Sequence, residues 1–88
     1  PSIALSKERK RERRKITRKI ERLEKELATL DDTIERLMEE MSSPELANDH
    51  VALMDLQKQV DEASEDKHLC DVEWLETQET LEQFDREQ

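Results

Sequence analysis

The sequence predicts an all-α fold, an antiparallel two-helix coiled-coil hairpin, and three observations carry that prediction. Charged residues make up 44% of the 88 positions and aromatics 2%, which suits long solvated helices better than a sheet or a deep enclosed site. Ile16, Ile20, Leu23, Leu27, Leu30, Ile34, Leu37 and Met41 recur at alternating steps of four and three residues, an unbroken heptad seam. A second, less pure seam runs through Leu53, Leu56, Val60, Ala63, Lys67, Cys70, Trp74, Thr77, Leu81 and Phe84. Two stripes joined by a short connection pair most simply as a hairpin.

The first helix is expected to begin near Ser6, a suitable N-cap, although its apolar seam opens only at Ile16. The pattern stops at Ser42-Ser43-Pro44-Glu45-Leu46-Ala47-Asn48. Proline disfavours helix in the residue before it and suits a first turn, so Ser43-Pro44 reads as N-cap and N1 of a new helical turn. Asn48 or Asp49 then caps the second helix, which continues to about Phe84. Residues 1–15 form a basic entry arm continuous with the first helix. Residues 16–88 form the hairpin, with a tip loop at 42–48. Aligning the seams sets Met41 beside Leu53, Ile34 beside Val60, Leu27 near Lys67 and Ile20 near Trp74, with Leu81 and Phe84 facing Arg13 and Lys10. Lys67, in an apolar slot, is expected to reach solvent or one of Glu24, Glu26 and Asp31, and to help fix the register.

The formal charge of −9 conceals a division. Residues 1–25 carry eleven Lys/Arg against four Glu, and residues 26–88 carry four Lys/Arg against twenty Asp/Glu. On a helical wheel Lys7, Arg11, Arg14, Lys15, Arg18, Arg22 and Lys25 fall within about 100° of arc, opposite Ile16, Ile20 and Leu23. They make a stripe about 27 Å long that points away from the second helix. Arg9, Lys10, Arg13 and Lys19 lie towards that helix, within reach of Glu73, Glu76, Glu79, Glu82, Asp85 or Glu87. The outward group is therefore free for phosphates and the inward group supports the hairpin; the alternatives are a solvated entry arm with no partner, or contact with an acidic protein or membrane surface. No aromatic is interleaved with the stripe, so contact with nucleic acid is expected through the backbone, salt-sensitive and indifferent to base sequence. Glu8 and Glu21 flank the stripe and weaken it. A basic segment feeding heptads is also the bZIP layout, but the segment has no Asn to read a base and the second helix supplies a partner within the chain.

Other residues point to structure. Cys70 fills a seam position, and one cysteine forms no disulfide within the chain. His50 and His68 stand eighteen residues apart, and no His/Cys/Asp spacing matches a closed metal site, so neither metal nor cofactor is expected. The absence of glycine excludes a phosphate loop within these residues. A two-helix rod offers no cavity to tune carboxylates, so neither catalysis nor a small-molecule substrate is expected. No apolar run approaches a membrane span and there is no signal-peptide core, so a cytoplasmic, membrane-free chain is expected. The start at Pro1 suggests a piece of a longer protein. Leu69, Val72 and Leu75 form a small apolar patch on the back of the second helix, a candidate for docking on a protein or on another copy. Met38, Met41 and Met54 gather near the tip, as packing or as an adaptable contact surface.

The order of features resembles a known module. Leu5-Ser6-Lys7-Glu8-Arg9 leads into the basic and then heptad helix; Ser43-Pro44-Glu45-Leu46, Asp49-His50, Leu53 and Leu56-Gln57 follow; Glu73-Trp74-Leu75 and Leu81-Glu82 close the series. Over roughly residues 5–84 this is similar to the C-terminal coiled-coil domain of ABC-F proteins, the soluble tandem ATP-binding cassette ATPases that lack membrane domains. Family members often carry an aromatic where this chain has Ala47, and another where it has Lys7, so any stacking role of those aromatics does not carry over. The resemblance implies a non-catalytic arm on an ATPase that acts on ribosomes, contacting ribosomal RNA, tRNA or DNA, with the ATPase domains upstream in the same chain. The alternative is a structural coiled coil for protein docking or dimerisation through Leu69, Val72 and Leu75, without nucleic-acid binding.

Overall fold

The computed structural model describes residues 3–87; Pro1, Ser2 and Gln88, the outer ends of the two segments read from the sequence, lie outside the described residues. The chain is an all-α hairpin: α1 spans Ile3–Met41, a short 3-10 turn spans Pro44–Leu46, and α2 spans His50–Arg86. Its Cα envelope measures 69 × 15 × 13 Å, a rod one helix pair thick.

Helix α1 continues through Ser6 to Ile3, so Ser6 lies within the helix rather than capping it. The run Lys7–Lys15 is made of strong helix formers with no β-branched residue to interrupt it, and propensity carries the helix beyond its seam. At the other end α1 closes without glycine. The Ser42 amide donates to the Met38 and Glu39 carbonyls at 3.2 and 3.1 Å, the Ser42 hydroxyl donates to the Met38 carbonyl, and the Ser43 amide donates to Glu40. These bonds satisfy carbonyls that the helix end leaves open.

Pro44 sits at the start of the 3-10 turn as expected, and Ser43 has the extended backbone of an N-cap, but its side chain makes no capping hydrogen bond. The cap of α2 is Asp49, whose carboxylate accepts from the Ala52 amide at 3.0 Å. The helix runs two residues beyond Phe84, to Arg86.

The core is a single file of seam residues. Ile20, Leu23 and Leu37 of α1 and Leu56, Val60, Ala63 and Cys70 of α2 are buried. Near the tip Leu37, Leu56 and Val60 cluster with Ile34, Met41 and Leu46 packed against them. The alignment derived from the seams requires facing residue numbers to total about 94. The observed cross-hairpin pairs Lys19–Glu73, Cys70–Leu23, Arg9–Phe84, Lys67–Asp31 and Arg13–Asp85 total between 92 and 98, which brackets that register.

The two polar residues in the α2 seam are accommodated differently. Lys67 reaches Asp31 at 2.5 Å, one of the three carboxylates expected for it. The hydrogen bond and charge of Asp31 raise the lysine pKa. Thr77 is buried and donates back to the Glu73 carbonyl at 2.7 Å, so its hydroxyl needs no partner on α1.

Candidate nucleic-acid interface

The site begins with helical geometry. Because α1 turns its apolar seam towards α2, the side chains opposite that seam have no element above them. Lys7, Arg11, Arg14, Lys15, Arg18, Arg22 and Lys25 are all exposed. Among the described residues, Arg22 is the one member with an ion pair, to Glu26 at 4.0 Å, the limit of such a contact. Arg14 donates only to the Lys10 carbonyl one turn back, at 3.4 Å. Six charges of like sign thus stand on one helix face without a carboxylate partner.

The inward group behaves in the opposite way, with one exception. Arg13 makes a bidentate contact to Asp85, at 3.0 and 3.1 Å. The hydrogen bond from Arg13 holds the Asp85 carboxyl below its ordinary value, outweighing the opposing effect of burial, with the Arg13 charge adding a lesser pull in the same direction, and the Arg13 pKa is correspondingly raised. Lys19 pairs with Glu73 at 3.2 Å. Arg9 lies over the Phe84 ring at 4.4 Å and donates to the Phe84 carbonyl at 3.3 Å. The residue facing Phe84 is therefore Arg9 rather than Lys10, because the guanidinium combines a ring contact with a carbonyl acceptor, which an ammonium at Lys10 does not reach.

Lys10 is the exception. It is exposed and has no ion pair among the described residues. It lines one shallow recess with Arg13 and Arg14 and another with Ser6, Arg9 and Arg13. The cationic surface is thus broader than the wheel reading allowed, extending round the helix from the stripe through Lys10. The missing signal was three-dimensional: the wheel places Lys10 towards α2, but only the choice of Arg9 by Phe84 leaves it free.

The other singled-out groups fall into place. Leu69, Val72 and Leu75 are 57%, 39% and 56% exposed, so the apolar patch on α2 is open. Cys70 is buried and points its thiol at the Leu23 carbonyl and Glu26; burial, then the Glu26 charge, push its pKa up, which keeps the thiol protonated and unreactive. The indole nitrogen of Trp74 is buried without a hydrogen-bond partner. Among the described residues no helix is long and apolar enough to cross a membrane.

Fold and surface together define an antiparallel helical hairpin whose base carries a one-sided cationic face. Comparison of the chain with protein-family models, with curated proteins and with solved structures finds no match in any of the three.

Proposed function

We propose that this hairpin is the C-terminal nucleic-acid-binding arm of an ABC-F ATPase, non-catalytic in itself and working in the cytoplasm on the ribosome. The outer stripe of α1, with Lys10 beside it, binds the phosphate backbone of ribosomal RNA, tRNA or DNA and helps position the ATPase domains of the same chain. The observation that supports the reading is the accumulation of six exposed, unpaired cations on one helix face, while Arg9, Arg13 and Lys19 of the same segment are engaged with α2 and Lys10 stays free beside the stripe. A solvated face in a chain of net charge −9 would more economically have been neutralised or mixed in sign. The order of motifs along residues 5–84 supports the family assignment.

The test is a fluorescence-anisotropy titration against tRNA and short single- and double-stranded DNA, between about 50 and about 300 mM salt. A log–log salt slope of about −3 to −6 is expected, for several phosphates neutralised together. Reversing Arg11, Arg14 and Arg18 to Glu should lower affinity by about a hundredfold or more at the lowest salt while leaving helicity intact. Absence of binding by the unmodified chain at low salt overturns the reading. The open patch of Leu69, Val72 and Leu75 then favours the structural alternative, a coiled coil for protein docking or dimerisation.

A further inference from the structure

The two ends of the rod carry different charge. The base, residues 1–25 with 68–88, holds twelve Lys/Arg and eleven Asp/Glu; the tip half, residues 26–67, holds three Lys/Arg and thirteen Asp/Glu. The base is therefore close to neutral in total, split between two faces, and the tip half is −10.

Within that acidic half lie three exposed apolar side chains: Val51 at 81%, Met54 at 73% and Met38 at 56%. The heptad register puts them at one level of the rod. Met38 stands one heptad beyond Asp31, on the flank that the Lys67–Asp31 pair crosses. Met54 is three residues before Gln57, which lies on that same flank of α2, and Val51 is three residues before Met54. The register that sets Met41 beside Leu53 holds Met38, Met54 and Val51 within about two helical turns of each other along the rod. An open groove on the α1 side of this level is lined by Asp31, Ile34, Glu35, Met38, Glu39 and Ser42. Its apolar floor is Ile34 and Met38, and its rim carries three carboxylates.

We propose that this tip surface is a docking site for a basic amphipathic helix of a partner protein, with an apolar side chain set on Met38 and Met54 and Lys or Arg on Glu35 and Glu39. Charge decides the class of occupant. A phosphate backbone or an anionic lipid surface is repelled by the −10 half. Two copies meeting through this face would oppose the same carboxylates. The basic stripe of a second copy, Lys7 to Lys25, has the right sign but offers no apolar side chain on its outer face. Methionine suits the task, since its flexible thioether adapts to an anchor of varied shape. The site is independent of the cationic base.

The probe is a labelled synthetic helix with leucines at i, i+3, i+4 and i+7 and lysines elsewhere, titrated by anisotropy with the 88-residue chain at physiological salt. Met38→Ser with Met54→Ser is expected to weaken binding by about tenfold, as for loss of interface anchors. The matching change at Leu69→Ser with Val72→Ser should alter it by less than about twofold. Because all four side chains are exposed, circular dichroism should remain unchanged. Equal binding by the two variants, or equal binding of an all-lysine peptide, overturns the proposal and leaves only attraction to an acidic rod. Reversal of Arg11, Arg14 and Arg18 must leave peptide binding in place, so failure of the nucleic-acid arm and failure of this site are read separately.

Discussion

Leu23 is the one described side chain below 2% exposure, at 1%, and it sits where α2 presents Cys70 to its carbonyl. A file of single seam residues has no second layer to collapse into a void, so truncation there should be felt in full. Leu23→Ala is expected to cost about 3 kcal/mol of unfolding free energy, whereas Leu69→Ala, 57% exposed, should stay within about 0.5 kcal/mol. Urea unfolding followed by circular dichroism measures both, and comparable losses would mean that Leu69 is covered in solution. The same burial explains Cys70: its place in the heptad predicted a small apolar filler, and the raised thiol pKa follows from that place without further chemistry. The Trp74 indole nitrogen has no such account; nothing among the described residues explains why it is buried without a partner.

Each end of the paired helices is fastened by polar groups, and these were only partly legible in the sequence. Heptad spacing fixed both helices and their register, because an apolar seam has one way to face its partner. Cap chemistry was less decisive. Ser43, Asn48 and Asp49 are all suitable residue types, and only backbone geometry selects Asp49 as the cap that accepts a hydrogen bond. At the base, the wheel left the inward cations several α2 carboxylates to choose among; Arg13 takes Asp85, Lys19 takes Glu73, and Lys10 proved free because Arg9 occupies Phe84. Long flexible side chains choose among neighbours by fine distances that a wheel does not contain. The Asp85 contact gives a pH signature. A carboxyl held below its ordinary value of 3.8 stabilises the fold at pH values above that range, and the contribution is lost as pH falls through the lowered value. Asp85→Asn should therefore melt at a lower temperature than the unsubstituted chain at neutral pH, and the two should converge as pH falls through the lowered carboxyl value. Thermal melts monitored by circular dichroism and by Trp74, the sole tryptophan, test this; a gap that persists in acid would assign the effect to packing at Asp85 rather than to its charge.

Charge on the whole rod is arranged in two directions, along its length and across its width, and the second arrangement decides whether an acidic α2 defeats a basic α1. The stripe and the outer face of α2 look away from each other across an envelope 15 × 13 Å wide. At physiological salt the Debye length is about 8 Å, so carboxylates on the far face are screened from anything bound to the stripe; at about 0.01 M salt it is about 30 Å, and they are felt. Glu79 and Glu82 are such far-face groups, level with the stripe in the hairpin register. Glu21 differs, since it stands on α1 between Arg18, Arg22 and Lys25, within one turn of each. Glu21→Gln is expected to raise affinity for duplex DNA about two- to fivefold at physiological salt, while Glu79→Gln with Glu82→Gln changes it by less than about twofold there and raises it severalfold at about 0.01 M. The same anisotropy titration measures both, run at the two salt concentrations. If the far-face pair mattered as much as Glu21 at physiological salt, the bound strand would have to lie along the flank, beside Lys10 and Arg13, rather than on the outer face of α1. Lys10 and Arg13 would then replace Arg11 and Arg18 as the cations to reverse.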